Sequence, residues 1–200
     1  MLANATVADV LRPYAKKYAV LYDIVLIICG SLLIALSVQV KVLLPFSPVP
    51  ITGQTFAVLM VGALFGARRG SLSVLLYIAE GSAGLPVFAL GGGLQILFGP
   101  TGGYLAGFVA AAYIVGLLAE RGWDRQMWKT ILAMLVGNMA IYAFGLLWLS
   151  RWTGINRVLL IEGLYPFIFG DILKTILAAV ILPAGWKLLP HSKQSLSHFC

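Results

Sequence analysis

The chain has 200 residues, of which 60% are hydrophobic and only 10% are charged, whereas a soluble domain carries about 25% charged residues. Its mean hydropathy of +0.96 excludes a soluble fold, because a domain of this size leaves much of its chain exposed to the solvent. The net charge of +7 does not indicate a nucleic-acid-binding protein, because the basic residues form no patch and stand at the ends of apolar segments, as topology signals do.

We predict an all-α membrane protein with six transmembrane helices, built as one integral membrane domain over 1–200. A spanning helix needs about 20 mainly apolar residues, so the chain holds six spans with short connections and no soluble domain. The second segment is short for a full crossing, at about 18 Å. The predicted spans are 24–44, 54–65, 71–82, 103–119, 130–149 and 167–189.

Two long connections separate these spans on one side of the membrane. One contains Pro45, Pro48 and Pro50, which bar a helix there. The other is the glycine-rich stretch 84–103. Non-helical backbone near membrane depth persists only where protein or a water-filled cavity covers it. These long apolar loops therefore indicate a lid or a pocket wall, and the alternative is a pair of ordinary surface loops.

The distribution of Lys and Arg predicts the orientation. If the spans alternate, one side carries both termini and the turns 66–70 and 120–129, with ten Lys and Arg residues. The other side has three, Lys41, Arg151 and Arg157. The positive-inside rule assigns the side with ten to the cytoplasm. We therefore expect both termini in the cytoplasm, the two long loops outside, and a multi-pass protein of the cell membrane.

The two ends of the chain are polar. Residues 1–22 include Asp9, Arg12 and Lys17, and no small-residue cleavage site follows the apolar run. We therefore expect a cytoplasmic N-terminus and a retained first helix rather than a signal peptide. Residues 190–200 are expected to form a flexible cytoplasmic tail.

Asp171 and Lys174 are the most informative pair of residues. They stand three apart inside the last apolar segment, so a helix places them on one face. Charged groups inside a membrane are costly and mark functional sites by default. Together they offer acceptors and donors to one polar ligand, and the alternative is a structural ion pair within the helix.

The fifth segment carries a second polar face. Asn138, Tyr142 and Gly145 are spaced four and then three residues apart and share one side of a helix. An amide both donates and accepts hydrogen bonds, so Asn138 is a candidate ligand contact. An ordinary hydrogen bond between helices is an equal alternative.

Further candidates stand where the two long loops meet the spans. Gln54 follows the proline-rich loop and Glu80 precedes the glycine-rich one. Either can line a pocket mouth, although a solvated helix end is the favoured reading of Glu80. The helix start at 99–104 offers N–H groups that attract anions. No Gly-Lys-Ser or Gly-Lys-Thr follows it, so these residues do not form a Walker A ATP site.

We assign no catalytic residue, metal site or cofactor. The two cysteines, Cys29 and Cys200, have no disulfide or metal-binding spacing. Both histidines, His191 and His198, lie in the C-terminal tail. An intramembrane serine protease or metalloprotease would need a base or ligands within the membrane, so an enzyme is disfavoured.

Read together, the motifs of this chain resemble the BioY family, the biotin-specific S components of energy-coupling-factor (ECF) transporters. The resemblance covers about 24–189, with the motifs in order, and their combination is specific although no single motif is. The motifs are Pro48–Thr55 (PVPITGQT), Gly84–Ala89 (GLPVFA), Gly91–Gly93, Gly99–Leu105 (GPTGGYL), Gly163, Pro166–Ile168 and Gly170–Lys174 (GDILK).

The resemblance implies a membrane subunit of six helices that binds biotin from outside with high affinity and delivers it to the cytoplasm. Such subunits usually work with a transmembrane coupling subunit and two ATP-hydrolysing subunits. The Gly-Asp-x-x-Lys motif is associated with the biotin head group, which implies that role for Asp171 and Lys174. Lys41 and Glu80 depart from the residue types expected at their positions. The resemblance therefore implies no role for these two residues near the pocket mouth.

The chemistry of biotin suggests roles for the other candidates. Asn138 can complete the hydrogen bonds to the ureido ring, and Phe88 and Tyr142 can sandwich the rings. The carboxylate would lie toward Gln54 or toward the helix start at 99–104. The substrate-binding candidates in that helix start are Gly102, Gly103 and Tyr104.

Two other classes of function remain as alternatives. The nearest is an S component of the same fold for a different vitamin. Biotin would then not compete with that vitamin for binding. A purely structural membrane protein is the other, but it would not need Asp171, Lys174 and Asn138.

Overall fold

The computed structural model describes residues 5–13 and 15–188, so Cys200, both histidines and the predicted tail lie outside the described residues. The described chain is mostly helical. Its helices are α1 (Val7–Leu11), α2 (Lys16–Ser37), α3 (Gln54–Ser82), α4 (Leu94–Phe98), α5 (Gly102–Glu120), α6 (Met127–Thr153), α7 (Arg157–Gly163) and α8 (Tyr165–Leu188). Two short strands, β1 (Lys41–Val42) and β2 (Ile51–Thr52), and a 3-10 turn (Trp123–Arg125) complete it.

Five helical stretches are long and apolar enough to cross a membrane: α2, α3, α5, α6 and the run from α7 through α8. The predicted all-α membrane architecture is confirmed at this level. Of the six predicted spans, 103–119, 130–149 and 167–189 correspond to α5, α6 and α8, with ends that differ by at most four residues.

The second and third predicted spans are the two arms of α3, which is bent at Gly66. Gly66 has φ +86° and ψ 174°, a backbone conformation that side-chain-bearing residues avoid. A Cβ atom on Gly70 would lie 2.8 Å from the Cα atom of Gly62, and Gln54 donates to the hydroxyl of Tyr77. A straight helix would separate those last two residues by about 35 Å, so α3 is a helical hairpin.

The hairpin turn is tighter than the sequence indicated. A turn over 66–70 was expected, but the helix resumes at Ala67 directly after Gly66. The side chain of Glu120 accepts the backbone N–H of Ala67 at 2.9 Å. This carboxylate satisfies a helix N-terminal donor that has no partner inside its own arm, and it comes from a distant part of the chain.

The first span differs most from its prediction, because α2 covers 16–37 rather than 24–44. The helix includes Asp23, whose carboxylate pairs with Arg12 at 2.6 Å and with Arg69 at 2.8 Å. At its other end the chain leaves the helix, because Lys41 and Val42 pair with β2 in an antiparallel hairpin. Both limits of this span are thus set by tertiary contacts, which hydropathy does not reveal.

Close packing between α3, α5 and α6 forms the centre of the bundle. A Cβ atom on Gly107 would lie 2.9 Å from the Cα atom of Ile141, and Ala111 is fully buried. Small residues on this face of α5 therefore permit close packing against neighbouring helices. The core contains the large buried side chains of Tyr77, Met134 and Ile141.

The two ends of the bundle are built differently. The loop end carries the connections 38–53 and 83–101, which include the β1–β2 hairpin and α4. The opposite end, here called the α1 end, carries α1 and the 3-10 turn. An α1-end cluster of Asp9, Arg12, Asp23 and Arg69 ties α1 to α2 and α3, with Arg69 bonded to both carboxylates at 2.8 Å.

Candidate functional site

A cavity at the loop end has a volume of about 630 Å³, including its open mouth. Its wall is mainly apolar and aromatic, with a few polar groups. The exposed or half-buried residues of the wall include Ala89, Leu90, Ile96 and Thr101, and its buried residues are Val49, Pro50, Gln54, Tyr77, Phe88, Tyr104, Leu105, Phe108, Ile141 and Phe167.

A polar cluster borders this cavity and is here called the floor cluster: Asp171, Lys174, Thr55 and Tyr142. Lys174 Nζ donates to Thr55 Oγ1 at 2.7 Å and to Asp171 Oδ1 at 3.2 Å. The hydroxyl of Tyr142 donates to Asp171 Oδ2, and Thr55 Oγ1 lies 3.3 Å from Asp171 Oδ1. The predicted pairing of Asp171 and Lys174 is thus present and is extended by two hydroxyls from other helices.

The members of the floor cluster face the cavity unequally. Lys174, Thr55 and Tyr142 line it, whereas Asp171 lies behind them with 6% of its surface exposed. Lys174 Nζ also donates to the backbone oxygen of Thr52 at 2.9 Å, so its three N–H donors all have partners. A polar ligand would meet the ammonium and the hydroxyls first, and Asp171 orients both.

Asn138 lies one helical turn from Tyr142, beside a second cavity, too narrow to hold a water molecule, that Asp171, Lys174 and Thr55 also line. Only 7% of the residue is exposed. Its Oδ1 atom is buried and has no hydrogen-bond donor within the part of the chain that the structure describes. The hydrogen bond between helices that was the alternative is therefore not made by this oxygen, although such buried groups are rarely left without a partner.

Gln54 and Phe88 both line the cavity, and a hydrogen-bonded chain connects them to the loop end. Gln54 Nε2 donates to the hydroxyl of Tyr77, which donates to the backbone oxygen of Val87 at 3.1 Å. The rings of Tyr77 and Phe88 meet edge to face, with centroids 5.4 Å apart. These contacts join both arms of α3 to the glycine-rich loop that covers the cavity.

The three candidates at the start of α5 separate into two roles. Tyr104 lines the cavity, and its hydroxyl donates to the backbone oxygen of Gly163 at 2.8 Å. Gly102 and Gly103 are absent from the cavity wall and are packed instead: added Cβ atoms would lie 1.8 Å from the oxygen of Leu97 and 2.2 Å from the Cβ atom of Trp148. The start of α5 therefore permits close packing in this structure.

Two N–H groups at this helix start already make backbone hydrogen bonds. Those of Gly102 and Tyr104 donate to the backbone oxygens of Gly99 and Thr101, at 3.1 and 3.0 Å. We expected free N–H donors here to attract a carboxylate. The N–H groups of Gly102 and Tyr104 are not free, and an anion would have to displace their backbone hydrogen bonds.

Sequence reasoning missed Thr52, Thr55 and Tyr77 as site residues. The two threonines stand in the PVPITGQT motif, so their position beside Gln54 was the available signal. Tyr77 is a phenol in an otherwise apolar stretch of the third segment, and a buried phenol needs a hydrogen-bond partner. In each case the partner comes from a distant part of the chain.

Lys41 and Glu80 have partners away from the floor cluster. Lys41 Nζ donates to the backbone oxygen of Ala89 at 3.0 Å and so ties the first long loop to the second. Glu80 accepts from the hydroxyl of Ser31 at 2.5 Å and is only partly exposed. Glu80 thus connects α3 to α2 rather than forming the solvated helix end that was expected.

The comparisons with known proteins agree with one another. The sequence model of the BioY family matches residues 9–191. The biotin transporter BioY of Rhizobium etli is 36% identical over 172 residues, which cover 80% of this chain and 92% of the relative. The probable biotin transporter BioY of Pyrococcus horikoshii is 40% identical over 153 residues, covering 76% and 90%.

The fold is also similar to a solved structure, the S-component for biotin from an ECF-type ABC transporter. The TM-score is 0.75 at 29% sequence identity, and the match covers 88% of this chain and 95% of the other.

Proposed function

The chain belongs to the BioY family, and we propose that it is the substrate-binding membrane subunit of an ECF-type vitamin importer. In this role it captures biotin from the outside of the cell membrane and releases it to the cytoplasm. The family is one of transporter subunits rather than enzymes. The observation that carries the proposal is the floor cluster, where Asp171, Lys174 and Tyr142 converge at the base of an apolar cavity.

Biotin has a chemistry that complements this cavity. Its ureido ring has two N–H donors and one carbonyl acceptor, its thioether ring is apolar, and its carboxylate ends an alkyl chain. In the proposal, Lys174 donates to the ureido oxygen and Asp171 accepts from a ureido N–H that replaces the hydroxyl of Thr55. Charged partners make such hydrogen bonds about twice as strong as neutral ones.

The rest of the head-group site would come from amide and aromatic side chains. The free oxygen of Asn138 would accept from the second ureido N–H once the ligand opens the space between the two cavities. The apolar rings would lie against Phe88, Tyr104 and Tyr142, which line the cavity. Gly102 and Gly103 support the site by packing and make no ligand contact in this proposal.

The proposed topology has six membrane segments in one domain over 1–200, with both termini in the cytoplasm. Counting the arms of α3 separately supports six segments, and the arms have lengths of about 18 Å and 24 Å. The excess of ten Lys and Arg over three supports the orientation. The loop end then faces outside, and the cavity opens toward the biotin supply.

Delivery against a gradient would need energy from other chains. The sequence contains no Walker A pattern, so in the proposal a transmembrane coupling subunit and ATP-hydrolysing subunits supply that energy. The lipid bilayer is the remaining partner.

The test is calorimetric titration of the purified, detergent-solubilised chain with biotin, desthiobiotin, thiamine and riboflavin. We expect tight one-to-one binding that is selective for biotin. Selective binding of another vitamin would leave the fold assignment in place and overturn the substrate. If a sample shown to be folded binds none of the four, the proposed capture of biotin is wrong.

A further inference from the structure

The loop end offers few cations to hold the carboxylate of biotin. Besides Lys174 of the floor cluster, its basic residues within the described chain are Lys41, Arg151 and Arg157. The guanidinium of Arg151 stacks on the ring of Trp148 at 4.6 Å, and Trp148 is not part of the cavity wall. Arg157 is exposed at the first turn of α7 and likewise lies outside the wall. Lys41 also lies outside the wall, but it contacts two residues that form it, Thr52 and Ala89.

Lys41 is tied to the cavity wall at both ends of its side chain. In the β1–β2 hairpin it pairs directly with Thr52, and side chains of such pairs lie on one face with Cβ atoms about 4.5–5.5 Å apart. Its Nζ atom lies 3.0 Å from the backbone oxygen of Ala89. Both Thr52 and Ala89 line the cavity.

The ammonium of Lys41 also has the capacity to bind an anion. It carries three N–H donors, and its one hydrogen bond within the described residues is to Ala89. The side chain is exposed and flexible enough to turn toward the mouth, where Leu90 and Ile96 form an apolar wall for an alkyl chain. A carboxylate at that position would face a positive charge and no acidic side chain of the cavity wall.

We propose that Lys41 is the carboxylate anchor of this site and selects ligands that carry a negative charge at the end of the alkyl chain. This inference rests on the proposed function, which places the ureido ring at the floor cluster. The carboxylate then projects toward the mouth, away from Lys174. The start of α5 is a poorer anchor, because the N–H groups of Gly102 and Tyr104 already bond to Gly99 and Thr101.

The experiment compares biotin with biotin carboxamide, in which the carboxylate is replaced by a neutral amide. Dissociation constants of both ligands are measured for the wild-type chain, for Lys41→Gln, and for the matched control Arg157→Gln. A hydrogen-bonded charge pair at a partly exposed site corresponds to roughly a tenfold preference for biotin. We expect Lys41→Gln to remove that preference and leave carboxamide affinity unchanged, whereas Arg157→Gln retains it.

Three results would overturn the assignment of Lys41. A wild-type preference that persists in Lys41→Gln would mean that another group binds the carboxylate, while biotin binding itself would stand. An equal loss of affinity for both ligands would mean that Lys41 acts only by holding the loop at Ala89. If neither ligand binds to the folded wild-type chain, the proposed function fails first and the anchor fails with it.

Discussion

The floor cluster and the α1-end cluster lie at opposite ends of the bundle, and both contain ion pairs, which are more exposed at the α1 end. The α1-end cluster joins two carboxylates to two guanidiniums, so its charges are matched within the cluster. The floor cluster has one carboxylate and one ammonium, supplemented by the hydroxyls of Thr55 and Tyr142. Hydroxyls can exchange partners, because each both donates and accepts.

Under the proposed function, the floor cluster is a ligand site and the α1-end cluster is structural. In the floor cluster, three of four members line an apolar cavity of about 630 Å³, and the unpartnered Oδ1 atom of Asn138 lies nearby. The α1-end cluster also lines a cavity, of about 820 Å³ including its opening, but that cavity is more polar, and the charged atoms hold a short helix onto its neighbours. We therefore expect the two clusters to have different roles, and matched substitutions at the two ends test that distinction.

The largest effect is expected from Asp171→Asn in the floor cluster. Truncating one partner of a buried, hydrogen-bonded charge pair at a binding site costs about 2–5 kcal/mol. We expect biotin affinity to fall about 300-fold, or about 3.4 kcal/mol, in a calorimetric titration. The matched control is Asp23→Asn, which removes a carboxylate bonded to Arg12 and Arg69.

The control should give the opposite pattern. Asp23→Asn is expected to lower the thermal unfolding midpoint, because it weakens two partly exposed ion pairs that together contribute on the order of 1 kcal/mol. Its biotin affinity should match that of the wild type. Equal affinity losses in Asp171→Asn and Asp23→Asn would mean that both clusters act through the stability of the bundle, and the distinction between them would be wrong.

A site residue can be predicted from the sequence when the pattern that marks it lies within a few residues along the chain. Asp171 and Lys174 were identifiable because charges three residues apart are conspicuous in an apolar segment. Thr55 and Tyr77 were not, because hydroxyl-bearing residues are tolerated in membrane helices and their partners come from other parts of the chain. Gly102 was assigned to ligand binding because the N–H groups of a helix start attract anions. Its packing contact with Leu97 depends on how the preceding loop folds back, which the sequence does not reveal.

The same reasoning applies to the fold. The apolar segments predicted α5, α6 and α8 well, because their limits follow hydropathy. The start of α2 was misplaced because two arginines from elsewhere neutralise Asp23. The short helices α1, α4 and α7 were missed because each is too short for a periodic pattern.

The second largest effect concerns a buried carboxylate at the α1 end. Burial raises the pKa of Asp124 to about 6 from an ordinary value of 3.8, although Trp186 and Arg125 oppose that increase. The folded state therefore binds more protons than the unfolded state between about pH 4 and pH 6. The contribution of Asp124 to stability thus falls as pH rises through this window.

The measurement compares wild type with Asp124→Asn, in which an amide oxygen can still accept from Trp186. A shift of about two pKa units corresponds to about 2–3 kcal/mol. Between pH 4.5 and pH 7, the unfolding midpoint of the wild type should fall relative to that of the variant, while biotin affinity stays equal in the two proteins. Parallel midpoints would contradict the buried titration, and a difference in affinity would connect the α1 end to the ligand site.

The smallest effect is expected from removing a single hydroxyl. Tyr77→Phe deletes the group that accepts from Gln54 and donates to the backbone of Val87, so the glycine-rich loop loses one of its attachments to the cavity wall. Loss of such a neutral hydrogen bond costs about 1 kcal/mol, and we expect about a fivefold loss of biotin affinity.

The matched control is Tyr22→Phe, because the hydroxyl of Tyr22 donates to the backbone oxygen of Ala8 at the α1 end at 3.1 Å. It should leave the affinity unchanged, since that bond holds α1 rather than the loop over the cavity. If the affinity loss arises from a loosened loop, Tyr77→Phe should act mainly through a faster dissociation rate, because a bound ligand escapes when the loop moves. An unchanged dissociation rate with slower association would instead indicate that Tyr77 shapes the empty cavity.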